Sequence, residues 1–179
     1  LTALLSFGFC SADEAGQKGK EILANTKDAI IQVKVVVSSG MSYSGRDSNK
    51  TESSNEVTGT VIDPSGLMIL SLSAIDPSAI VSQFSYGDEG EEESFKFQSE
   101  IKDIKIVQAD GKEIPATVLL RDKDLDMAFI KPQEKPAKPF NYVNLTQASK
   151  PEILDELVFL NRLGRVANRT MQVSLDRVE

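Results

Sequence analysis

The chain has 179 residues, of which 40% are apolar and 26% are charged, and its formal net charge is −7. This balance is typical of a folded protein with a hydrophobic core and argues against an intrinsically disordered chain. The excess of acidic residues argues against nucleic-acid partners, which bind basic surfaces, and against adsorption to anionic membranes.

The N-terminal segment has the pattern of an export signal. Residues 1–9 form an apolar run, and the small residues Cys10, Ser11 and Ala12 follow it. The run is too short to span a bilayer and is typical of the end of a secretory signal. We therefore predict that residues 1–12 are a signal-peptide remnant and that the protein is periplasmic or secreted. The mature chain would then have no membrane span. A hydrophobic strand or helix that belongs to the fold is the alternative.

The following segment leads into the first predicted strand. Residues 13–28 are polar and rich in helix formers, which indicates a short helix or a flexible leader. Residues 29–37 are β-branched with partial alternation, and they predict a strand. Residues 38–55 are rich in serine, glycine and asparagine, and they predict a long loop.

Two further strands are predicted at residues 56–62 and 67–72. Between them, Asp-Pro-Ser-Gly at residues 63–66 favours a tight turn, because proline presets its φ and glycine tolerates a positive φ. No clear pattern follows at residues 76–100. The acidic run at residues 88–93 has no apolar period, so we predict a solvated surface loop there rather than an ion site.

A hairpin and one more strand follow. Residues 101–108 and 113–120 alternate in polarity, and Asp-Gly at residues 110–111 between them is a strong hairpin signal. Residues 125–130 predict another strand. Residues 131–139 contain three prolines, which cannot donate to a sheet, so we predict a linker.

The last predicted strands cover residues 154–160 and 170–178. The chain therefore contains many short strands and no alternation of strands with helices. This pattern is typical of an antiparallel barrel or sandwich, and we predict an all-β fold.

Four motifs occur in a characteristic order: Gly-Thr-Val-Ile-Asp at residues 59–63, Asp-Gly-Lys at 110–112, Asp-Lys-Asp-Leu-Asp-Met-Ala-Phe at 122–129, and Leu-Val-Phe-Leu-Asn-Arg-Leu-Gly at 157–164. Together they resemble the trypsin-like fold, and in particular the HtrA/Deg-type serine proteases. The resemblance implies a complete first β-barrel at residues 29–131. It also implies a linker at residues 132–152 and the start of a second barrel at residues 153–179.

The same resemblance places two residues at catalytic positions. Asp126 lies at the position of the aspartate that orients the catalytic histidine. The position of that histidine, seven residues after Gly66, is held by Ser73, and the whole chain contains no histidine. The third catalytic residue would lie in a Gly-x-Ser-Gly-Gly turn, which we expect beyond Glu179.

The trypsin-like mechanism needs a neutral imidazole to take the proton from serine. We therefore predict an exported serine protease homologue that is catalytically inactive and has a binding or scaffolding role, with a polypeptide or protein as partner. Ser73 as a replacement nucleophile would need a neighbouring base, and Asp126 is a poor base for an alcohol proton. We predict instead that Ser73 donates a hydrogen bond to Asp126.

Two alternatives stay open at this stage. One is an active HtrA-like endopeptidase with an unusual site, and the other is an unrelated β-barrel binding module. No cofactor and no metal are predicted. Asp122, Asp124 and Asp126 resemble the start of an EF-hand, but Met127 and Gln133 stand where its glycine and glutamate are needed. The sequence leaves homo-oligomer formation open.

Overall fold

The computed structural model describes residues 14–43, 46–47, 50–78 and 95–179. The helices are α1 (Glu14–Thr26) and the short α2 (Leu72–Ile75), with 3₁₀ turns at Lys27–Ala29, Leu145–Gln147 and Arg165–Ala167. The strands are β1 (Ile30–Tyr43), β2 (Arg46–Asp47), β3 (Thr51–Val61), β4 (Met68–Ser71), β5 (Phe95–Val107), β6 (Glu113–Asp122), β7 (Met127–Pro132), β8 (Glu156–Arg162) and β9 (Met171–Arg177). The signal predicted at residues 1–12 and the acidic loop predicted at 88–93 lie outside the described residues.

Six of the strands form a closed antiparallel β-barrel. Its order is β1-β3-β4-β7-β6-β5, and pairing of β1 with β5 closes the ring. β2 pairs with the end of β1, and β8 pairs with β9 in a separate two-stranded sheet. Strands account for 50% of the described residues, so the all-β prediction with an antiparallel barrel is confirmed.

The barrel interior is filled by the apolar face of each strand. On β1, Val33, Val35 and Val37 are buried, while the side chains between them point outwards. Met68 on β4 and Ile130 on β7 are fully buried opposite them. Burial of each such side chain stabilises the fold by roughly 1.5–3 kcal/mol, which makes this cluster the core of the molecule.

The predicted turn between β3 and β4 is present. The amide of Gly66 donates to the carbonyl of Asp63 over 2.9 Å, and Gly66 has a φ of +89°. The Asp63 carboxylate accepts from the amide of Ser65 over 2.8 Å. Residues 63–66 therefore form the predicted tight turn, and glycine takes its left-handed position.

The predicted loop at residues 38–55 is wrong. β1 continues to Tyr43 and β3 begins at Thr51, so most of these residues are strand. Ser38, for example, pairs with Glu52 on one side and with Glu100 on the other. Because β1 has a partner on both sides, its ladder hydrogen bonds outweigh the weak strand propensity of serine and glycine.

The first residues of the predicted linker are also strand. Lys131 and Pro132 belong to β7 and pair with Thr117 and Ala116. The amide of Gln133 donates to the Pro115 carbonyl over 3.0 Å, so the pair Ala116–Pro132 is a non-hydrogen-bonded one. The Pro132 nitrogen, which carries no hydrogen, therefore faces away from β6. No hydrogen bond between β6 and β7 is lost.

Two other boundaries differ from the prediction. The patternless stretch ends earlier than expected, because β5 begins at Phe95. The strand predicted at residues 67–72 stops at Ser71, and Leu72 begins α2. The side chain of Ser71 caps this helix, which ends the strand at that point.

Helix α1 confirms the helical alternative for residues 13–28. It contacts β8 and β9, where the side chains of Val158 and Leu175 approach Gly19. Within the described ranges, none of the helices is long and apolar enough to cross a membrane.

Candidate functional site

The structure brings together the two residues that the sequence places at catalytic positions. Ser73 lies on α2, and Asp126 lies in the turn that joins β6 to β7. The Ser73 hydroxyl donates to Oδ2 of Asp126 over 3.0 Å, and the Ser73 amide donates to Oδ1 over 2.7 Å. The predicted hydrogen bond between the two side chains is therefore present.

Ser71 is a third member of this cluster, and the sequence reasoning missed it. Its hydroxyl lies 2.8 Å from Oδ2 of Asp126 and 2.9 Å from the Ser73 hydroxyl. The same oxygen accepts from the amide of Ala74 over 3.3 Å, which makes Ser71 the N-cap of α2. The signal for this role is a serine just before a possible helix, but the apolar run at residues 67–70 favours a longer strand.

The turn before β7 positions the Asp126 carboxylate. Oδ1 of Asp122 accepts from the amides of Asp124 and Leu125 over 3.1 and 3.0 Å, which folds the chain back. Asp126 then takes a left-handed φ of 51°, and its carbonyl accepts from the amide of Leu72 over 3.0 Å. Asp122 is thus a turn-forming residue, and the described part of the chain holds no group of acidic, histidine or cysteine side chains that could bind a metal.

The electrostatics of the site favour an ionised carboxylate. The hydrogen bond from the Ser73 amide lowers the pKa of Asp126 below its ordinary value, and the hydroxyl groups of Ser71 and Ser73 lower it further. Desolvation of the carboxylate opposes this shift without reversing it. A carboxylate of this kind is a weak base, so it does not take a proton from a serine hydroxyl at neutral pH.

The arrangement therefore works as a cap on α2. Asp126 ties the first turn of α2 to the end of the β6–β7 turn through one carboxylate and one carbonyl. No known protein-family model matches the chain, and no characterised protein matches it in sequence. The assignment of a function depends on the geometry of this site and on the barrel that carries it.

Proposed function

We propose that the protein is a catalytically silent relative of the trypsin-like serine proteases that keeps the barrel to bind a polypeptide partner. The observation that carries this proposal is the set of donors around Asp126. In the serine protease mechanism the corresponding carboxylate accepts the N–H of an imidazole. Here three donors from Ser71 and Ser73 take that place.

The chemistry of these donors supports a silent site. A serine hydroxyl cannot accept and return a proton near neutral pH as an imidazole can. Ser71 and Ser73 themselves have only Asp126 as a charged neighbour in the cluster, and its pKa is lowered. Neither hydroxyl therefore has the adjacent base that a serine nucleophile needs.

The chain should not react with a serine-directed phosphonate. We expect no covalent adduct by intact-mass spectrometry after incubation with a diphenyl phosphonate, under conditions that label trypsin stoichiometrically. The physical reason is that no described serine in this site is activated by a base. Stoichiometric labelling would contradict the proposal and favour an active peptidase, and the labels on Ser71→Ala and Ser73→Ala variants would then identify the nucleophile.

A second experiment, a histidine substitution, tests the trypsin-like geometry. The variant Ser73→His places an imidazole beside Asp126, whose negative charge should raise the pKa of that imidazole above its ordinary value of about 6.5. Ala74→His is the matched control, because Ala74 is exposed on the same helix turn. The imidazole introduced there should have a pKa of about 6.5. Equal imidazole pKa values in the two variants, measured by NMR, would argue against the trypsin-like assignment.

A further inference from the structure

The exposed segment that follows the barrel carries an asparagine within a glycosylation motif. Residues 144–146, Asn-Leu-Thr, have the form Asn-x-Ser/Thr, the tripeptide to which oligosaccharides are attached in secretory compartments. The same motif begins at Asn49 and at Asn168. Asn49 lies outside the described residues, so the structure compares Asn144 with Asn168. The motif alone is common, and the surroundings of each asparagine decide which of the two suits a glycan.

The chain is fixed to the barrel just before Asn144. The amide of Val143 donates to the carbonyl of Val61 over 2.8 Å, and the half-buried Val143 side chain packs against the core. Asn144 itself has an extended backbone, with a φ of −80° and a ψ of 100°. Tyr142 is 46% exposed, and Asn144 is exposed as well. Because side chains alternate along an extended chain, Tyr142 and Asn144 lie together on the solvent side of Val143.

The hydrogen bonds of the motif leave the side-chain nitrogen of Asn144 available. Oδ1 of Asn144 accepts from the amide of Thr146 over 3.0 Å and from the Thr146 hydroxyl over 2.8 Å. Among the described residues, none accepts a hydrogen bond from Nδ2 of Asn144. The carboxamide is therefore oriented by its oxygen, and the nitrogen that would carry a sugar belongs to an exposed side chain.

The second described motif differs in each of these respects. Asn168 and Arg169 have left-handed φ values of 51° and 52°. The Thr170 hydroxyl donates to the Ala167 carbonyl over 2.8 Å and not to the asparagine. Asn168 also lines a cavity of about 480 Å³ between the β8–β9 hairpin and the barrel, so a glycan on it would lie against the barrel. The residue two positions before it is Val166, which offers no aromatic ring.

We propose that Asn144 is an N-glycosylation site and that the first sugar of the glycan lies on the ring of Tyr142. In the attachment step Nδ2 forms a bond to C1 of N-acetylglucosamine, the bond from C1 to a lipid diphosphate breaks, and Nδ2 loses one proton. The donor is a lipid-linked oligosaccharide, and the catalyst is a membrane-bound oligosaccharyltransferase. The step requires the export predicted from residues 1–12, and it is independent of the silent site proposed above.

Tyr142 gives the glycan a place on the folded protein. N-acetylglucosamine has one apolar face of C–H groups, and such groups pack against the negative face of an aromatic ring. Tyr142 precedes Asn144 by two residues and lies on the same exposed side, within reach of the first sugar. The remaining sugars extend into solvent, because the segment borders the barrel on one side only.

Passage of the chain through the secretory pathway of a eukaryotic host tests the site. The chain is fused to a secretion signal of the host, recovered from the pathway and treated with peptide N-glycosidase F in heavy-oxygen water, which converts each glycosylated asparagine to labelled aspartate. Peptide mass spectrometry should find the label at Asn144 in most molecules. Thr146→Ala should abolish that label, whereas Thr146→Ser, which keeps the hydroxyl, and Asn168→Gln should retain it. Absence of label at Asn144 overturns the proposal, and so does label that persists in Thr146→Ala.

The position of the first sugar has its own test. Endoglycosidase H trims oligomannose glycans to one N-acetylglucosamine, and urea unfolding compares the trimmed protein with the same chain made without glycan. Both carry Asn49→Gln and Asn168→Gln, so that Asn144 alone is modified. The sugar should lower the equilibrium constant for unfolding about threefold with tyrosine or phenylalanine at position 142, and leave it unchanged in Tyr142→Ala. Equal effects of the sugar with and without the ring overturn its placement on Tyr142.

Discussion

Replacing Gly66 by alanine should lower the free energy of unfolding by about 3 kcal/mol, the sum of a backbone and a steric effect. Gly66 has a φ of +89°, a conformation that costs a residue with a Cβ roughly 1–2 kcal/mol. A Cβ there would also lie 2.8 Å from Cγ of Pro132 and 2.9 Å from Cε2 of Phe140. Both neighbours are held against the barrel, so relieving the overlap should cost roughly 1–3 kcal/mol more.

Gly111 is the matched control for this substitution. Its φ of +84° is nearly the same, but no atom lies within 4 Å of a Cβ built on it. Gly111→Ala should therefore lose only the backbone contribution, about 1 kcal/mol. Urea unfolding followed by circular dichroism measures both variants. Equal losses for the two glycines would mean that Pro132 and Phe140 do not crowd the β3–β4 turn.

The comparison of these glycines shows what local sequence can predict. Asp-Pro-Ser-Gly at residues 63–66 and Asp-Gly at residues 110–111 identify both turns, because the need for a positive φ is a property of a few consecutive residues. The strands that alternate in polarity are also predictable, because alternation is likewise a property of consecutive residues. The contact of Gly66 with Phe140 is not local, and nothing in the turn itself indicates it.

The errors in the fold have a common physical cause. The extension of β1 to Tyr43 depends on partners in β3 and β5, and the strand position of Pro132 depends on which side of β7 its nitrogen faces. Both are decided by pairing between distant segments, which overrides residue propensity. The register shifts of β5 at Lys102 and of β6 at Leu119 are of the same kind, and they could not be predicted either.

The candidate site was predicted in part. The spacing from Gly66 to Ser73, together with the resemblance at residues 122–129, is enough to place Ser73 beside Asp126. Ser71 was not predicted because its role depends on where β4 ends, and element boundaries are the least certain part of a sequence-based assignment. The identity of the three donors around Asp126, rather than the barrel itself, is the observation on which the proposed silent site rests.

The β8–β9 hairpin is held on the barrel by polar side-chain contacts. Gln32 on β1 is 1% exposed, and its side-chain amide donates to the carbonyls of Arg162 and Leu163. Arg169 forms a 2.6 Å ion pair with Glu56 on β3. A two-stranded sheet is marginally stable alone, so the order of the hairpin depends on its polar contacts with the rest of the fold, and these are two of them.

Replacing Arg162 by leucine should detach the hairpin and lower the free energy of unfolding by about 3 kcal/mol. The half-buried guanidinium donates to the carbonyls of Ile30, Lys27 and Arg169 over 2.8, 3.0 and 3.2 Å. Two of these carbonyls belong to the entry into β1 and one belongs to the hairpin, so a single side chain connects the two. Leucine keeps the bulk but leaves three acceptors without a charged donor, and each such bond contributes roughly 1.5–3 kcal/mol before partial access of water is considered.

Arg177→Leu is the control on the same hairpin, because Arg177 is 64% exposed and lies 3.5 Å from Glu156. An exposed pair of this kind contributes less than about 1 kcal/mol. The free energies of unfolding of Arg162→Leu and Arg177→Leu, measured in urea, should therefore differ by about 2 kcal/mol or more. Hydrogen exchange should show early loss of protection in β8 and β9 of Arg162→Leu, with the barrel core unchanged at Val35 and Ile106. Uniform loss of protection through barrel and hairpin would instead mean that Arg162 stabilises the entry into β1 and that the hairpin depends on Gln32 and Arg169.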